Sequence, residues 1–197
     1  AYARTRASLE AYPNTAELVV VLRGEDHVSG ILCEKDEIHA SVLANRWATT
    51  DLTVRLGNWR TALADGRLDP PEVDRPWMFC MDPYTWLRDH EVNRASRGPN
   101  LCRADLELLR STLGKYAQRP APGALSVPVY GVDAEHAGDF RRATIQLADR
   151  LGLERTFLGL PASADTRHVM AVLSPTAGLP AEVAEAWAAF RAEDRPA

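Results

Sequence analysis

Short apolar runs alternate with longer amphipathic stretches along most of this 197-residue chain. Runs typical of β-strands lie at 28–33, 52–56, 77–81 and 124–130. Stretches with apolar residues at helical spacing follow them at 37–47, 59–64, 104–116 and 139–151, and an earlier helix is predicted within 2–22. Such alternation predicts an α/β fold with a mostly parallel sheet between layers of helices.

The end of the chain departs from this alternation. Two strand-like runs, 155–160 and 168–174, follow one another with no helix between them, and a last helix is predicted at 180–191. Strands joined by so short a link pair antiparallel. The sequence therefore predicts a mostly parallel sheet that ends in an antiparallel hairpin.

Composition limits the class of protein. Hydrophobic residues make up 46% and charged residues 25%, which is typical of a globular chain, and we expect a single domain over 1–197. No apolar run reaches the ~20 residues of a membrane span, so no membrane partner is expected. The net charge of −4 argues against a general nucleic-acid binder. Three cysteines without metal-site spacing favour a reducing compartment, hence a cytoplasmic location.

Ligands of open α/β sheets bind at the carboxyl ends of the strands, so the residues that follow each strand are the candidates. Glu34 follows the first strand, where a carboxylate accepts ribose hydroxyls; the alternative is a surface carboxylate in the charged run 34–37. Gly57 and Asn58 follow the second strand. Glycine permits close backbone approach and an amide matches an adenine edge, whereas the alternative role of Asn58 is a helix N-cap.

The third strand is followed by Asp82, Pro83, Tyr84 and, two residues later, Trp86. A carboxylate beside exposed aromatic rings suits a flat substrate, and the alternative is a β-turn with exposed rings. The loop after Asp82 is polar and irregular over 84–100. It carries arginines that either grip the phosphates of a nucleic acid or remain solvated, among them Arg88, Arg94 and Arg97. Histidine spacing predicts no metal site.

Taken together, the strand-end residues and the terminal hairpin resemble class I S-adenosylmethionine-dependent methyltransferases. The resemblance implies a Rossmann-like three-layer sandwich with S-adenosylmethionine as its cofactor. It implies that cofactor ribose and adenine are held by Glu34, Lys35, Gly57, Asn58 and Trp59. It also implies that a target amino nitrogen is held, and its ring stacked, by Asp82, Pro83, Tyr84 and Trp86.

Within that class the sequence is similar to two families. One is the adenine-N6 methyltransferases of large-subunit ribosomal RNA, through Tyr12-Pro13, 32–34, Asp82-Pro83 and 169–175. The other is the three-Cys-motif partner proteins, whose fourth strand also ends in Asp-Pro-aromatic. Two departures stand out: the first strand and glycine-rich loop of the class have no counterpart, and Tyr84-Thr85 stands where a proline and an aromatic residue are expected.

Three functions remain open at this level. An active methyltransferase acting on an amino nitrogen of a base or another planar substrate explains the strand-end residues and the hairpin. A non-catalytic, partner-binding module derived from a methyltransferase explains the two departures. A nicotinamide-dependent oxidoreductase requires a G-x-G-x-x-G loop, which the sequence lacks, and it does not explain the terminal hairpin.

Overall fold

A computed structural model of the chain describes residues 29–69, 74–81, 83–93, 98, 100–160 and 167–193. The chain divides into two compact units, Ala1–Leu68 and Asp69–Ala197. The helix predicted within 2–22 lies outside the described residues, as does Asp82. None of the helices that the structure describes is long and apolar enough to cross a membrane.

The first unit contains two parallel strands with a helix after each. In chain order these elements are β1 (Ser29–Glu34), α1 (Glu37–Arg46), β2 (Asp51–Leu56) and α2 (Trp59–Ala64). Each helix is preceded by an N-cap residue, Asp36 for α1 and Asn58 for α2. The side-chain oxygen of each N-cap accepts a backbone N–H of the first turn. All four predicted elements are confirmed to within one residue at either end.

The second unit holds the remaining elements. They are β3 (Trp77–Cys80), β4 (Trp86–Leu87), β5 (Leu101–Cys102), α3 (Arg103–Ala117), β6 (Gly123–Val132), α4 (Ala134–Leu151), β7 (Glu154–Leu160), β8 (Arg167–Ser174) and α5 (Leu179–Glu193). The main sheet has the order β3-β6-β8-β7. Its centre is apolar, because alternate residues of β6 and β8 are fully buried, including Leu125, Val127, Ala171 and Leu173.

The sheet of the second unit is mixed, which corrects the prediction of a mostly parallel sheet. Among the described strands of the main sheet, β3 and β6 pair in parallel, whereas β8 runs antiparallel to both β6 and β7. The hairpin of β7 and β8 is confirmed. Because the link between them is too short for a helical crossover, β8 has to return antiparallel, and it then lies between β6 and β7 instead of at the edge.

Pro128 lies inside β6, a central strand, although proline cannot donate to a strand ladder. The pairing of β3 with β6 ends at Cys80 and Ser126, so Pro128 lies two residues beyond the last pair on that side. On the other side Pro128 is opposite Met170 of β8. The missing N–H therefore costs no bond to β3, and the long strand β6 tolerates the proline.

The predicted irregular loop over 84–100 contains regular structure, and a short strand follows it directly. Trp86 and Leu87 of β4 pair in parallel with Leu101 and Cys102 of β5, and a 3-10 turn follows at Asp89–Glu91. Trp86 is fully buried, which is why this polar segment is fixed against the unit's core. Two-residue strands give too little periodicity for the sequence alone to reveal them.

Candidate functional site

In the first unit, the predicted cofactor residues lie at the carboxyl ends of both parallel strands. Glu34 is paired with Leu56, and the N–H of Gly57 donates to the Glu34 carbonyl at 2.8 Å. The φ of Gly57 is 139°, a backbone conformation that favours glycine, and a Cβ added there would meet no atom within 4 Å. The structure thus brings Glu34 and Gly57 together beside open space, and their cofactor role stays a prediction.

The side chains there also have local roles. One carboxylate oxygen of Glu34 accepts the N–H of Asp36 at 2.8 Å. Oδ1 of Asn58 accepts the N–H of Arg60 at 2.9 Å, so the helix N-cap weighed for Asn58 is present. The Arg60 guanidinium lies 4.6 Å from the Trp59 ring centre, and Lys35 is exposed. The hydrogen bonds of Glu34 and Asn58 each use only part of the side chain's hydrogen-bonding capacity.

In the second unit, the residues after β3 separate into buried and exposed groups. Pro83 is buried, whereas the Tyr84 side chain is 74% exposed. Trp86 is 0% exposed; its ring packs on Phe140 with centroids 5.4 Å apart, and its Nε1 donates to Asp139 at 2.9 Å. Of the two rings predicted to stack on a substrate, only Tyr84 is therefore exposed. Trp86 is buried, so it packs in the core and is not available to stack on a substrate.

A shallow cavity of about 220 Å³ lies at the carboxyl end of β6. It is lined by the segment around β4 and by the first turn of α4: Thr85, Trp86, Leu87, Glu91, Gly131, Val132, Asp133 and His136. Sheet topology explains the position, because β3 and β6 are parallel and their carboxyl ends face the same edge. In the described part of this unit, the cavity occupies the edge at which a ligand is expected.

His136 lies between two carboxylates on the wall of this cavity. Its Nε2 is 3.0 Å from both carboxylate oxygens of Glu91, and its Nδ1 is 2.9 Å from Asp133. The contact with Asp133, and then that with Glu91, raises the pKa of His136 above its ordinary value. The two carboxylates thus stabilise the charged form of His136 relative to that of a free histidine.

Both carboxylates are held in the charged form. The Arg88 backbone N–H, followed by the Arg88 guanidinium and His136, lowers the pKa of Glu91 to about 2. The His136 backbone N–H, followed by its side chain, lowers the pKa of Asp133 to about 2. Asp133 is also the N-cap of α4, because its Oδ1 accepts the N–H groups of Glu135 and His136 at 2.8 Å. Two carboxylates, one imidazole and a helix N-terminus thus meet around the cavity.

Sequence reasoning missed this cluster. The run Asp133-Ala-Glu-His136 carries an N-cap signal, since an Asp precedes a helix and stands three residues before the histidine. Nothing in the sequence indicates that Glu91 lies against that histidine, because 45 residues separate them.

The arginines of the loop after Asp82 fall into two groups. Arg94 and Arg97 lie outside the described residues. The guanidinium of Arg88 contacts Glu91 at 3.1 Å and also pairs with Glu135. Arg88 is thus engaged within the protein, and the phosphate-binding role predicted for this loop stays a prediction.

No known family model matches the chain, and no curated protein matches it by sequence. Among solved structures, the chain is similar to protein LPL1258 from Legionella pneumophila, of family DUF519, with a TM-score of 0.56 and 14% identity. The match covers 91% of this chain and 61% of LPL1258, so the chain spans about three fifths of that protein. This likeness shows a shared fold.

Two further solved structures are more distant. Trm5b from Pyrococcus abyssi has a TM-score of 0.36 at 12% identity, over 73% of this chain and 36% of its own. An O-methyltransferase from Bacillus cereus, in complex with SAH, has a TM-score of 0.39 at 11% identity, over 87% and 88%. Neither likeness is close enough to bear on the fold or the function of this chain.

Proposed function

We propose that the chain is an S-adenosylmethionine-dependent methyltransferase domain that acts on an amino nitrogen of a base or another planar substrate. The terminal hairpin carries the proposal, with β8 lying inside the sheet between β6 and β7. That hairpin is the feature that the class I methyltransferase resemblance explains and the nicotinamide-dependent alternative does not.

The residues at the carboxyl ends of β1 and β2 fit the cofactor. The carboxylate of Glu34 suits two ribose hydroxyls, and the open backbone at Gly57 permits an adenosine to approach. The amide nitrogen of Asn58 is not used by its N-cap bond, and it suits an adenine ring nitrogen. Lys35 and Trp59 flank these residues and complete the proposed cofactor set.

When bound, the cofactor supplies an electrophilic methyl group. The chain's own residues then have to hold the target amine in line with that methyl group, because positioning of the reacting atoms accounts for most of the acceleration in such a displacement. We assign Asp82 and the Pro83 carbonyl to accepting hydrogen bonds from the target amine. Asp82 also stabilises the positive charge that develops on that nitrogen, and Tyr84 stacks on the ring that carries it.

Calorimetric titration with S-adenosylhomocysteine tests the proposal most directly. We expect one molecule to bind per chain, and we expect NADH, used as a matched adenosine-containing control, to bind far more weakly. Absence of S-adenosylhomocysteine binding would overturn the proposal that the chain is a methyltransferase, and it would favour the non-catalytic, partner-binding module.

The substrate is then tested by transfer of a labelled methyl group to bulk RNA, to DNA and to free nucleosides. The sequence leaves two roles open for Arg88, Arg94 and Arg97, phosphate contact or solvation, and Arg88 pairs with Glu91 and Glu135. We therefore assign any phosphate contact mainly to Arg94 and Arg97. If so, the R94A/R97A double variant methylates RNA less well and nucleosides equally well.

A further inference from the structure

A bulge shapes the end of β6 next to the cavity. The pairing of β6 with β8 changes register between Val129 and Val132. Gly131 lies within this bulge with a φ of 61°, a conformation that a glycine adopts without strain. The bulge turns the Gly131 N–H out of the strand ladder, and that N–H donates to Nδ1 of His168 at 2.9 Å.

This hydrogen bond fixes which nitrogen of His168 carries the proton. A backbone N–H can only donate, so Nδ1 of His168 accepts and carries no hydrogen. The single N–H of the neutral imidazole is therefore on Nε2. No described residue forms a hydrogen bond with Nε2, and the side chain is only half-buried. The bulge thus presents a directed N–H donor at this edge of the sheet.

An aromatic ring lies beside that donor. The rings of Tyr130 and His168 are 5.5 Å apart and inclined by 68°, an edge-to-face contact that holds both in place. Tyr130 remains 37% exposed although it is a large ring. Its backbone N–H donates to the carbonyl of Tyr84 at 3.3 Å, which connects this pair to the exposed ring that follows β3.

From this geometry we propose that Tyr130 and His168 form a recognition site for a nucleobase. Tyr130 offers the ring face or edge, and Nε2–H of His168 donates to a ring nitrogen or carbonyl oxygen of the base. The inference rests on the proposed function and narrows its substrate from any planar amine to a heterocycle that presents an acceptor atom. Recognition of a base by a ring and a single N–H donor does not depend on phosphate contacts, which suits a chain with a net charge of −4.

The same geometry excludes another role for His168. Its Nε2 already carries a hydrogen in the neutral ring, so that nitrogen is not available to take a proton from the amine. His168 is therefore a specificity-determining residue and not a general base.

Titration of the isotopically labelled chain by NMR tests this inference. The probes are the four ribonucleosides and the four corresponding single-stranded homopolymeric octaribonucleotides. We expect at least one base to shift the Nε2 and ring signals of His168 and to leave His39, in the first unit, unchanged. A nucleoside that binds as tightly as its octamer identifies a free base as ligand, whereas binding of the octamer alone identifies a base within a strand. If none of the eight probes shifts the His168 signals, the inference is overturned.

Variants measure the contribution of each ring. His168→Ala and Tyr130→Ala should each weaken binding of the active probe by about tenfold, as the loss of one stacked ring or one hydrogen bond does. Tyr130→Phe keeps the ring, so it should bind nearly as well as the wild type. If the His168→Ala variant bound the active probe with unchanged affinity, the inference would also be overturned. If that variant does not fold, the titration of the wild-type chain decides the question.

Calorimetry with S-adenosylhomocysteine on the same samples separates this inference from the proposed function. Binding of S-adenosylhomocysteine without binding of any base overturns only the nucleobase site. Binding of a base without S-adenosylhomocysteine overturns the methyltransferase and leaves the nucleobase site standing.

Discussion

Nε2 of His136 lies 3.0 Å from both carboxylate oxygens of Glu91, and this contact joins the 3-10 turn after β4 to the first turn of α4. A second contact joins β4 itself to α4, because Nε1 of Trp86 donates to Asp139 one turn further along that helix. Burial opposes ionisation of Asp139, but Trp86 and Arg103 outweigh it and lower its pKa. The segment that follows β3 is thus held against α4 by two bonds to charged groups.

The first prediction concerns the dependence of stability on pH. The pKa of His136 is raised above 6.5 in the folded chain, so its contribution is complete below about pH 6.5 and is lost as pH rises through the folded pKa. The pKa of Glu91 falls from 4.5 to about 2, so its contribution is complete above pH 4.5 and is lost as pH falls towards 2. The contact should therefore be strongest between these limits.

Urea unfolding of the wild type and of His136→Gln, at about pH 5.5 and about pH 8.5, measures this effect. The variant should be less stable by roughly 1 kcal/mol at the lower pH, a modest value because the pair is partly solvated, and by less at the higher pH. His39→Gln is the control, since His39 is exposed. An equal loss at both pH values would show that His136 acts through packing and not through its charge.

The second prediction concerns the cofactor. Glu34→Gln removes the charge but keeps an oxygen that accepts the Asp36 N–H, so α1 should stay intact. We expect S-adenosylhomocysteine to bind more weakly by about 1.5–3 kcal/mol, the range for hydrogen bonds to a charged group. Calorimetry measures this loss, with Glu37→Gln as the control because Glu37 is an exposed neighbour. Unchanged affinity in Glu34→Gln would refute the ribose role.

The third prediction separates catalysis from cofactor binding. Asp82→Ala should abolish methyl transfer and leave the affinity for S-adenosylhomocysteine nearly intact, because the carboxylate acts on the amine as it becomes cationic. Turnover on the methylated substrate, measured beside calorimetry, provides the comparison. Wild-type turnover in the variant would mean that the Asp-Pro-Tyr-Thr-Trp segment is structural.

The fourth prediction distinguishes the two rings after β3. Trp86→Ala should destabilise the second unit by about 3–5 kcal/mol, because it empties a fully buried site and leaves Asp139 without its indole partner. Tyr84→Ala should change stability by less than about 0.5 kcal/mol, since the side chain is exposed, yet it should lower methyl transfer. Thermal or urea unfolding and a methyl-transfer assay measure the two effects. Equal destabilisation by both variants would contradict this division.

The fifth prediction concerns the close approach of Trp77 to β6. A Cβ at Gly123 would lie 2.0 Å from the Trp77 indole, so Gly123→Ala forces the ring away from its contact with Tyr116. We expect a loss of about 1–3 kcal/mol or more in urea unfolding. Gly159→Ala is the matched control, because a Cβ there meets no atom within 4 Å. Similar losses in both variants would point to backbone effects instead.

The sequence alone determined most of the longer elements of the described part of this protein, but not the short strands β4 and β5. Periodicity located β1, α1, β2 and α2 to within one residue at either end, and it identified the β7–β8 hairpin from the missing helix between two strand-like runs. It also placed Glu34 and Gly57 at neighbouring strand ends, where the Gly57 N–H meets the Glu34 carbonyl. These are local properties, because side-chain period, turn residues and link length act over a few residues.

Tertiary structure decided which distant residues meet. The position of β8 between β6 and β7, the burial of Trp86 against Phe140, and the contact of His136 with Glu91 join residues far apart in the chain. The bulge that turns Gly131 towards His168 depends on the register between two strands. Such contacts form where burial of apolar surface brings elements together. A pattern that repeats every two or four residues shows which face of an element is buried, but it does not indicate which distant element packs against that face.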